Sequence, residues 1–261
     1  MAEPDSSPPS RPSPDEPDYG ESFADVYDEW YATITDPDAT ADRVAALVAA
    51  CTGSDRVLEL GVGSGRLALP MADRGLRVTG VDSSPAMLDQ LAAKPGAERV
   101  EVVQGDMSRA HELVRGPFAV VLVAFNTLFN LTSEAAQLAC LGACARLLAP
   151  DGSLLVEAAV PADPPGRVER DLSTVRVELD RVVLSATEHD PATQVVTGQH
   201  LDITDGGIRL RPWRIRYLSP AQLDDLARRA GLELVDRHAD WTGTPASPDS
   251  AVLISRYRPA T

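Results

Sequence analysis

Three glycines at alternate positions follow a hydrophobic run in VLELGVGSGRLALP, residues 57–70. Glycine weakens strands and helices alike, so Gly61, Gly63 and Gly65 mark a bend where bare backbone must turn tightly or meet a ligand. The run before the bend reads as a short buried strand, RVLEL. The segment after it, residues 65–73, reads as a helix. Strand, glycine bend and helix start together bring backbone N–H groups against a ligand at the helix N-terminus. The next strand, LRVTGVD, ends in Asp82, roughly 20 residues downstream and placed to accept hydrogen bonds from a ribose diol. A nucleoside-containing cofactor is the expectation. Glu59, just ahead of the first glycine, discriminates among such cofactors. A carboxylate there repels a pyrophosphate and suits a ligand carrying ammonium or sulfonium charge. That points to S-adenosyl-L-methionine over a dinucleotide, with a nicotinamide oxidoreductase as the competing reading.

The elements that position these residues alternate along the chain. ATADRVAALVAA, from Thr40, has the apolar spacing of a helix. After the first two strands, SPAMLDQLAA reads as a helix with Ser84 as N-cap and Pro85 in its first turn. VEVVQGD is a third strand. FAVVLVAFN is a fourth, apolar on both faces as central parallel strands are. SEAAQLACLGACARLL is a long helix capped by Ser133, and GSLLVEAAV is a fifth strand. Strict alternation of strand and helix predicts a parallel sheet covered on both faces. Beyond Pro161 the period changes to two, with turn-forming DPAT and TDGG, which predicts an antiparallel insertion of about three strands. SPAQLDDLARRAG is then a capped helix, and LELVDRHADW and SAVLISRYR are two last strands. Residues 1–18 are proline-rich and acidic and read as a disordered tail. Residues 19–261 read as a single domain with its insertion at about 165–217.

VLELGVGSG, GVDSSPAML, VVQGDM, FAVVLVAFNTLFNL and LLAPDGSLLVE, in this order and spacing, resemble the class I S-adenosylmethionine-dependent methyltransferases. The resemblance is close over about residues 44–159 and looser over the last helix and two strands. It implies an α/β, Rossmann-like, seven-stranded sheet whose last strand is antiparallel. It also implies that Glu59, Gly61 and Gly63 line the methionine end of the cofactor, and that Asp82 binds the ribose hydroxyls. Ser83 and Met87 would flank the ribose and adenine, Asp106 and Met107 would meet the adenine, and Phe125 and Asn126 would face the sulfonium and substrate, with Phe129 nearby. The segment SFADVYDEWYATI resembles the aromatic N-terminal part of the same family, which folds over the cofactor. Tyr19, Tyr27 and Tyr31 are its candidates for holding an acceptor, and Tyr27 and Tyr31 share a helix face by their spacing. The insertion resembles the β-lid of small-molecule members, including amino-sugar N-methyltransferases. Its candidate substrate contacts are His200, Arg211, Trp213 and Tyr217.

Methyl transfer from a sulfonium requires an acceptor lone pair held in line, about 3–3.5 Å from the carbon. A neutral amine needs nothing more, whereas an alcohol or phenol also needs a base. FNTLFNL contains no histidine, so the expectation is N-methylation without a base, or a base supplied by His200, Tyr27 or Tyr31. The alternatives are O-methylation of a small molecule, methylation of a macromolecule, or a non-catalytic module that binds the cofactor. The net charge of −15 opposes nucleic acid and anionic membranes, and Arg209, Arg211, Arg214 and Arg216 read as a solvated strand edge. No apolar stretch reaches the ~18 residues of a membrane span, and no signal peptide is recognisable. Cys51, Cys140 and Cys144 lack the further ligands of a metal site, so no metal is expected. His111, His189 and His238 are given no role. The expected setting is cytoplasmic, and the expected partners are a small acceptor and a second copy of the chain.

Overall fold

The computed structural model describes residues 19–31, 34, 36–161 and 166–260, so the tail expected over 1–18 lies outside the described residues. Five parallel strands come first: β1 (Arg56–Leu60), β2 (Arg77–Asp82), β3 (Val100–Gln104), β4 (Phe118–Val123) and β5 (Leu148–Ala159). Between them run α3 (Pro37–Ala50, ahead of β1), α4 (Ala68–Asp73), α5 (Pro85–Ala92), α6 (Ala110–Leu113) and α7 (Glu134–Leu147). Two short helices, α1 (Tyr19–Phe23) and α2 (Tyr27–Tyr31), precede them.

α8 (Pro220–Arg229) precedes the last two strands of the main sheet, β10 (Leu232–His238) and β11 (Val252–Pro259). The strand order is β10-β11-β5-β4-β1-β2-β3. β11 pairs antiparallel with both neighbours, so it alone opposes the sheet. Ser84, Ser133 and Ser219 each accept a hydrogen bond from the first turn of α5, α7 and α8, satisfying donors that a helix start leaves open. Alternate strand residues feed two cores. Leu58, Leu60, Val121 and Val123 pack with α7 and α8, and Val57, Val120 and Leu122 pack with α3 and α4. The sheet edge carrying the β1 and β2 C-termini is thereby held rigid from both faces.

A second sheet lies between β5 and α8: β6 (Glu169–Val177), β7 (Arg181–Asp190), β8 (Val195–Thr204) and β9 (Gly207–Arg216), an antiparallel meander. The sequence alternation suggests three strands, and the structure has four. Residues 169–190 fold back on themselves at 178–180, where Glu178 N–H donates to the Arg181 carbonyl. That turn carries no glycine or proline, so it interrupts the alternation without a signal.

The inner face of this sheet meets α1 and α2 through ion pairs. Arg211 is 2% exposed. It donates to the Ser22 carbonyl at 2.8 Å, to both carboxylate oxygens of Asp25 at 2.6 and 3.1 Å, and to Asp202. Arg209 reaches Asp25, and Arg176 and Arg181 reach Glu29. The arginines at 209 and 211 are therefore struts between the lid and the N-terminal helices, not strand-edge solvation. Among the described residues, no helix is long and apolar enough to cross a membrane, and no group of three metal-ligating side chains forms.

Candidate active site

The bend after β1 is held by two N–H donations, from Gly61 and Val62 to the Val81 carbonyl. Gly61, Gly63 and Gly65 all have positive φ, where a side chain is strained. A Cβ at Gly61 would meet the Thr127 methyl at 2.4 Å, so this glycine lets the β4 loop close on the bend. At Gly63 a Cβ would meet nothing nearer than the Met87 sulfur at 3.9 Å, which leaves bare backbone facing open space. Asp82, at the tip of β2, accepts the Gly63 N–H at 2.8 Å on one oxygen and the Ser84 N–H at 2.9 Å on the other. These two bonds orient Asp82 beside the open backbone.

Glu59 lies inside the sheet, 4% exposed, and its Oε2 has no hydrogen-bond partner among the described residues. Burial pushes its carboxyl up to about 8, opposed by the Arg66 guanidinium and reinforced by the Asp82 charge. A buried acceptor in this state is incomplete; it fits a ligand that brings a cationic donor. The open backbone at Gly63, the oriented Asp82 and the unsatisfied Glu59 together fit a nucleoside whose far end carries an ammonium group.

Aromatic side chains stand over this edge. Tyr19 stacks on Phe23 at 4.5 Å, and its hydroxyl donates to that of Tyr31 at 3.1 Å. Tyr31 meets Tyr27 at 4.9 Å and the edge of Phe125 at 5.3 Å. α1 and α2 are latched to the cofactor loops by two carboxylates. Glu21 accepts from Ser84 Oγ and the Ala86 N–H, and Asp28 accepts from Ser64 Oγ and pairs with Lys94. Burial raises Tyr27 to about 12 and raises Tyr19 and Tyr31 as well. All three are neutral phenols near pH 7.

The remaining candidates divide. Met87 is buried against the α1 segment, and Ser83 is exposed with its carbonyl accepting from Gln104. Asp106 caps the 3-10 turn Met107–Arg109 through the Ser108 N–H, and Met107 packs on the core under α7. Trp213 crosses Gly198 and joins the cluster around Phe23, and its Nε1–H donates to His200 Nδ1 at 3.0 Å. That bond corrects the base assigned to His200. A neutral imidazole has one acceptor nitrogen, Trp213 occupies it, and burial lowers the ring's proton affinity further. Arg211 is likewise not a substrate contact, since every arm of its guanidinium is engaged by Asp25, Asp202 and Ser22. Phe129 and Tyr217 are buried in the core on the α7 face, and the Tyr217 hydroxyl bonds His189 Nε2 at 2.9 Å. Neither joins the aromatic cluster.

Two residues belong to the site that the sequence reading passed over. Arg66 lies over the Phe125 ring at 5.0 Å and acts electrostatically on Glu59, Glu157 and Tyr27. Its signal was available: a cation directly after the third glycine stands where the helix dipole favours an anion. Glu157, on β5, accepts the Phe125 N–H at 2.8 Å and the Trp241 Nε1–H at 3.1 Å. It secures two consecutive left-handed residues, Phe125 (φ 52) and Asn126 (φ 60). Asn126 completes the bend by accepting the Ala159 N–H at 2.6 Å. Such a pair costs on the order of 1–3 kcal/mol per residue and persists only where its surroundings over-determine it. Nothing local in a buried strand marks Glu157 for this task.

Comparison with known proteins bears on the same region. A family model described as a methyltransferase domain matches residues 57–152. The CcbJ methyltransferase of Streptomyces caelestis is 41% identical, with a structural match covering 95% of this chain and 100% of that one at a TM-score of 0.84. The cypemycin N-terminal methyltransferase of a Streptomyces species is 29% identical over 202 residues, 76% of this chain and 80% of that protein. CalS10, an amino pentose methyltransferase from Micromonospora echinaspora solved with S-adenosylmethionine bound, shares the fold at a TM-score of 0.64. Its identity is 24%, over 89% of this chain and 96% of that one.

Proposed function

Since the chain belongs to the S-adenosylmethionine-dependent methyltransferases, we propose that it methylates a nitrogen of a small molecule enclosed between the aromatic helices and the lid. One observation carries the reading. The hydroxyl and imidazole groups expected at the acceptor wall are neutral and already committed near pH 7: Tyr19, Tyr27 and Tyr31 by burial, His200 by its bond from Trp213. A free amine brings its own lone pair and needs none of them as a base. The name of the cypemycin N-terminal methyltransferase is consistent with this choice.

In this reading Glu59, with Arg66 tuning its charge, meets the ammonium end of the cofactor. Gly61 and Gly63 give backbone contact, Asp82 holds the ribose, and Ser83, Met87, Asp106 and Met107 flank the nucleoside. The cofactor, when bound, supplies a methyl group activated by a sulfonium. The chain's own contribution is orientation and exclusion of water. Phe125, fixed by Glu157 and Asn126, and Tyr31, bonded to Tyr19, form the wall against which an amine is positioned. Trp213 closes the lid side. The net charge of −15 supports a small acceptor over a nucleic acid and is compatible with a cytoplasmic setting.

The test is transfer of a labelled methyl group to matched acceptor pairs, amino sugars or cyclic secondary amines against their hydroxyl analogues. The amines are expected to accept label and the hydroxyl analogues not to. Labelling of the hydroxyl compounds alone overturns the nitrogen assignment.

A further inference from the structure

On one face of α7, Leu141, Cys144 and Leu147 pack into the core. The opposite face borders a cavity of about 470 Å³. Leu138, Gly142 and Ala143 on α7 form its floor, and His111 on α6 and Arg229 on α8 line it from either side. Arg146, in the last turn of α7, lines it as well. None of the residues assigned to the cofactor or the acceptor takes part. Small-molecule sites occupy roughly 300–1,000 Å³, so the space suffices for a small ligand.

The lining is chemically selective. Among the described residues it holds three basic side chains and no acidic one, in a chain whose Asp and Glu outnumber its Lys and Arg by 39 to 24. A cleft lined by one sign of charge concentrates the opposite sign. Arg146 makes no hydrogen bond or ion pair among the described residues. Arg229 reaches Glu134 at 2.8 Å and Asp225 at 3.7 Å. Both contacts use Nη1, so Nη2 and Nε stay available to a ligand. His111 Nδ1 is shut off from water and has no partner among the described residues, a state that a ligand can complete.

Gly142 supplies a second, independent argument. Glycine inside a helix costs about 0.5–1 kcal/mol relative to alanine, so a glycine in the middle of α7 needs a reason. Its backbone does not supply one, because Gly142 is not among the glycines with positive φ. Packing within the chain does not either, because a Cβ there would meet nothing within 4 Å. What a side chain at 142 would occupy is the cavity.

We propose that this cavity is a second binding site, for a small organic oxyanion: a carboxylate or phosphate group on an apolar body. The anionic group lies with Arg146, Arg229 and His111, and the body lies on the floor of Leu138, Gly142 and Ala143. The site is separate from the methyl-transfer centre and does not rest on the N-methylation reading.

NMR of the full chain with its four histidines ring-labelled tests the proposal, using benzoate and phenyl phosphate as probes and benzyl alcohol as the uncharged control. The His111 resonance should shift saturably with at least one of the two anions and not with benzyl alcohol. The tighter-binding anion tells carboxylate from phosphate. Arg146→Gln should weaken that anion about tenfold or more, as a charge-assisted hydrogen bond is lost. Gly142→Leu should abolish binding with no fall in the thermal midpoint, since the new side chain meets only the cavity. No saturable shift of His111 with either anion overturns the proposal. So does benzyl alcohol that binds as well as benzoate, or an affinity unchanged in Arg146→Gln. Should Gly142→Leu fold poorly, Arg146→Gln decides alone, because that side chain is exposed. None of these readouts uses methyl transfer, so their failure is separable from failure of the N-methylation reading.

Discussion

Glu59→Gln should make the protein more stable and its cofactor binding less dependent on pH. The buried carboxyl stands at about 8 against an ordinary value of 4.5, so ionising it inside the fold costs roughly 5 kcal/mol. Between pH 4.5 and 8 the folded state keeps a proton that the unfolded state has lost. Stability must therefore fall as pH rises through that window. Linkage puts the loss between pH 6 and pH 8 at about 2 kcal/mol for this one group. Glutamine keeps the shape and does not titrate. In urea unfolding, the stability advantage of Glu59→Gln over wild type should widen by about 2 kcal/mol from pH 6 to pH 8. The comparison cancels Glu157, whose carboxyl is raised in both proteins. A cationic ligand draws Glu59 into its ionised form, so wild-type affinity for S-adenosylmethionine should rise about tenfold from pH 6 to pH 7, and that of the variant should stay flat. A stability gap that is the same at both pH values refutes the buried, protonated Glu59. A flat wild-type affinity refutes its contact with a cation.

Other substitutions separate the parts of the site. Arg211→Met leaves the carboxylates of Asp25 and Asp202 short of a cation and should lower stability by about 3–5 kcal/mol, read as a fall in the thermal midpoint. Loss of less than 1 kcal/mol means the lid strut is not structural. Glu157→Gln keeps one acceptor for the two N–H groups that hold the Phe125–Asn126 bend. It should reduce kcat while leaving cofactor affinity within about threefold, and a cofactor defect instead would place Glu157 in the wrong role. Gly63→Ala strains a φ of 53° by about 1–2 kcal/mol and fills the open backbone, so it should weaken cofactor binding more than it lowers stability. His200→Gln should keep most activity across pH 6–9, and a lost pH limb would restore the base that its bond from Trp213 rules out.

The parallel half of the fold is legible because central strands must be apolar on both faces and because Ser84, Ser133 and Ser219 announce their helices. Gly61, Gly63 and Asp82 are equally plain, since no structural economy explains three glycines in a bend. The lid is harder. Period-two alternation shows that each strand has two faces, but not which one meets the rest of the molecule. Arg211 alternates like Arg209 and looks solvated, yet α1 and α2 cover it and the turn between them supplies Asp25. His200 fails in the same way: its neighbour Trp213 sits across a strand pair, at a register that only the folded hairpin fixes. Glu157 and Phe129 lie in apolar runs where core packing and function look the same.

The central claim is that the bend after β1, with Asp82 at the tip of β2, holds S-adenosylmethionine. Titration calorimetry of that cofactor into wild-type protein and Asp82→Ala at pH 7.5 tests it most directly. One saturable site is expected in wild type and a loss of about 10- to 100-fold in the variant, as charge-assisted hydrogen bonds of roughly 1.5–3 kcal/mol disappear. No saturable binding to wild type, or the same affinity in both proteins, contradicts it.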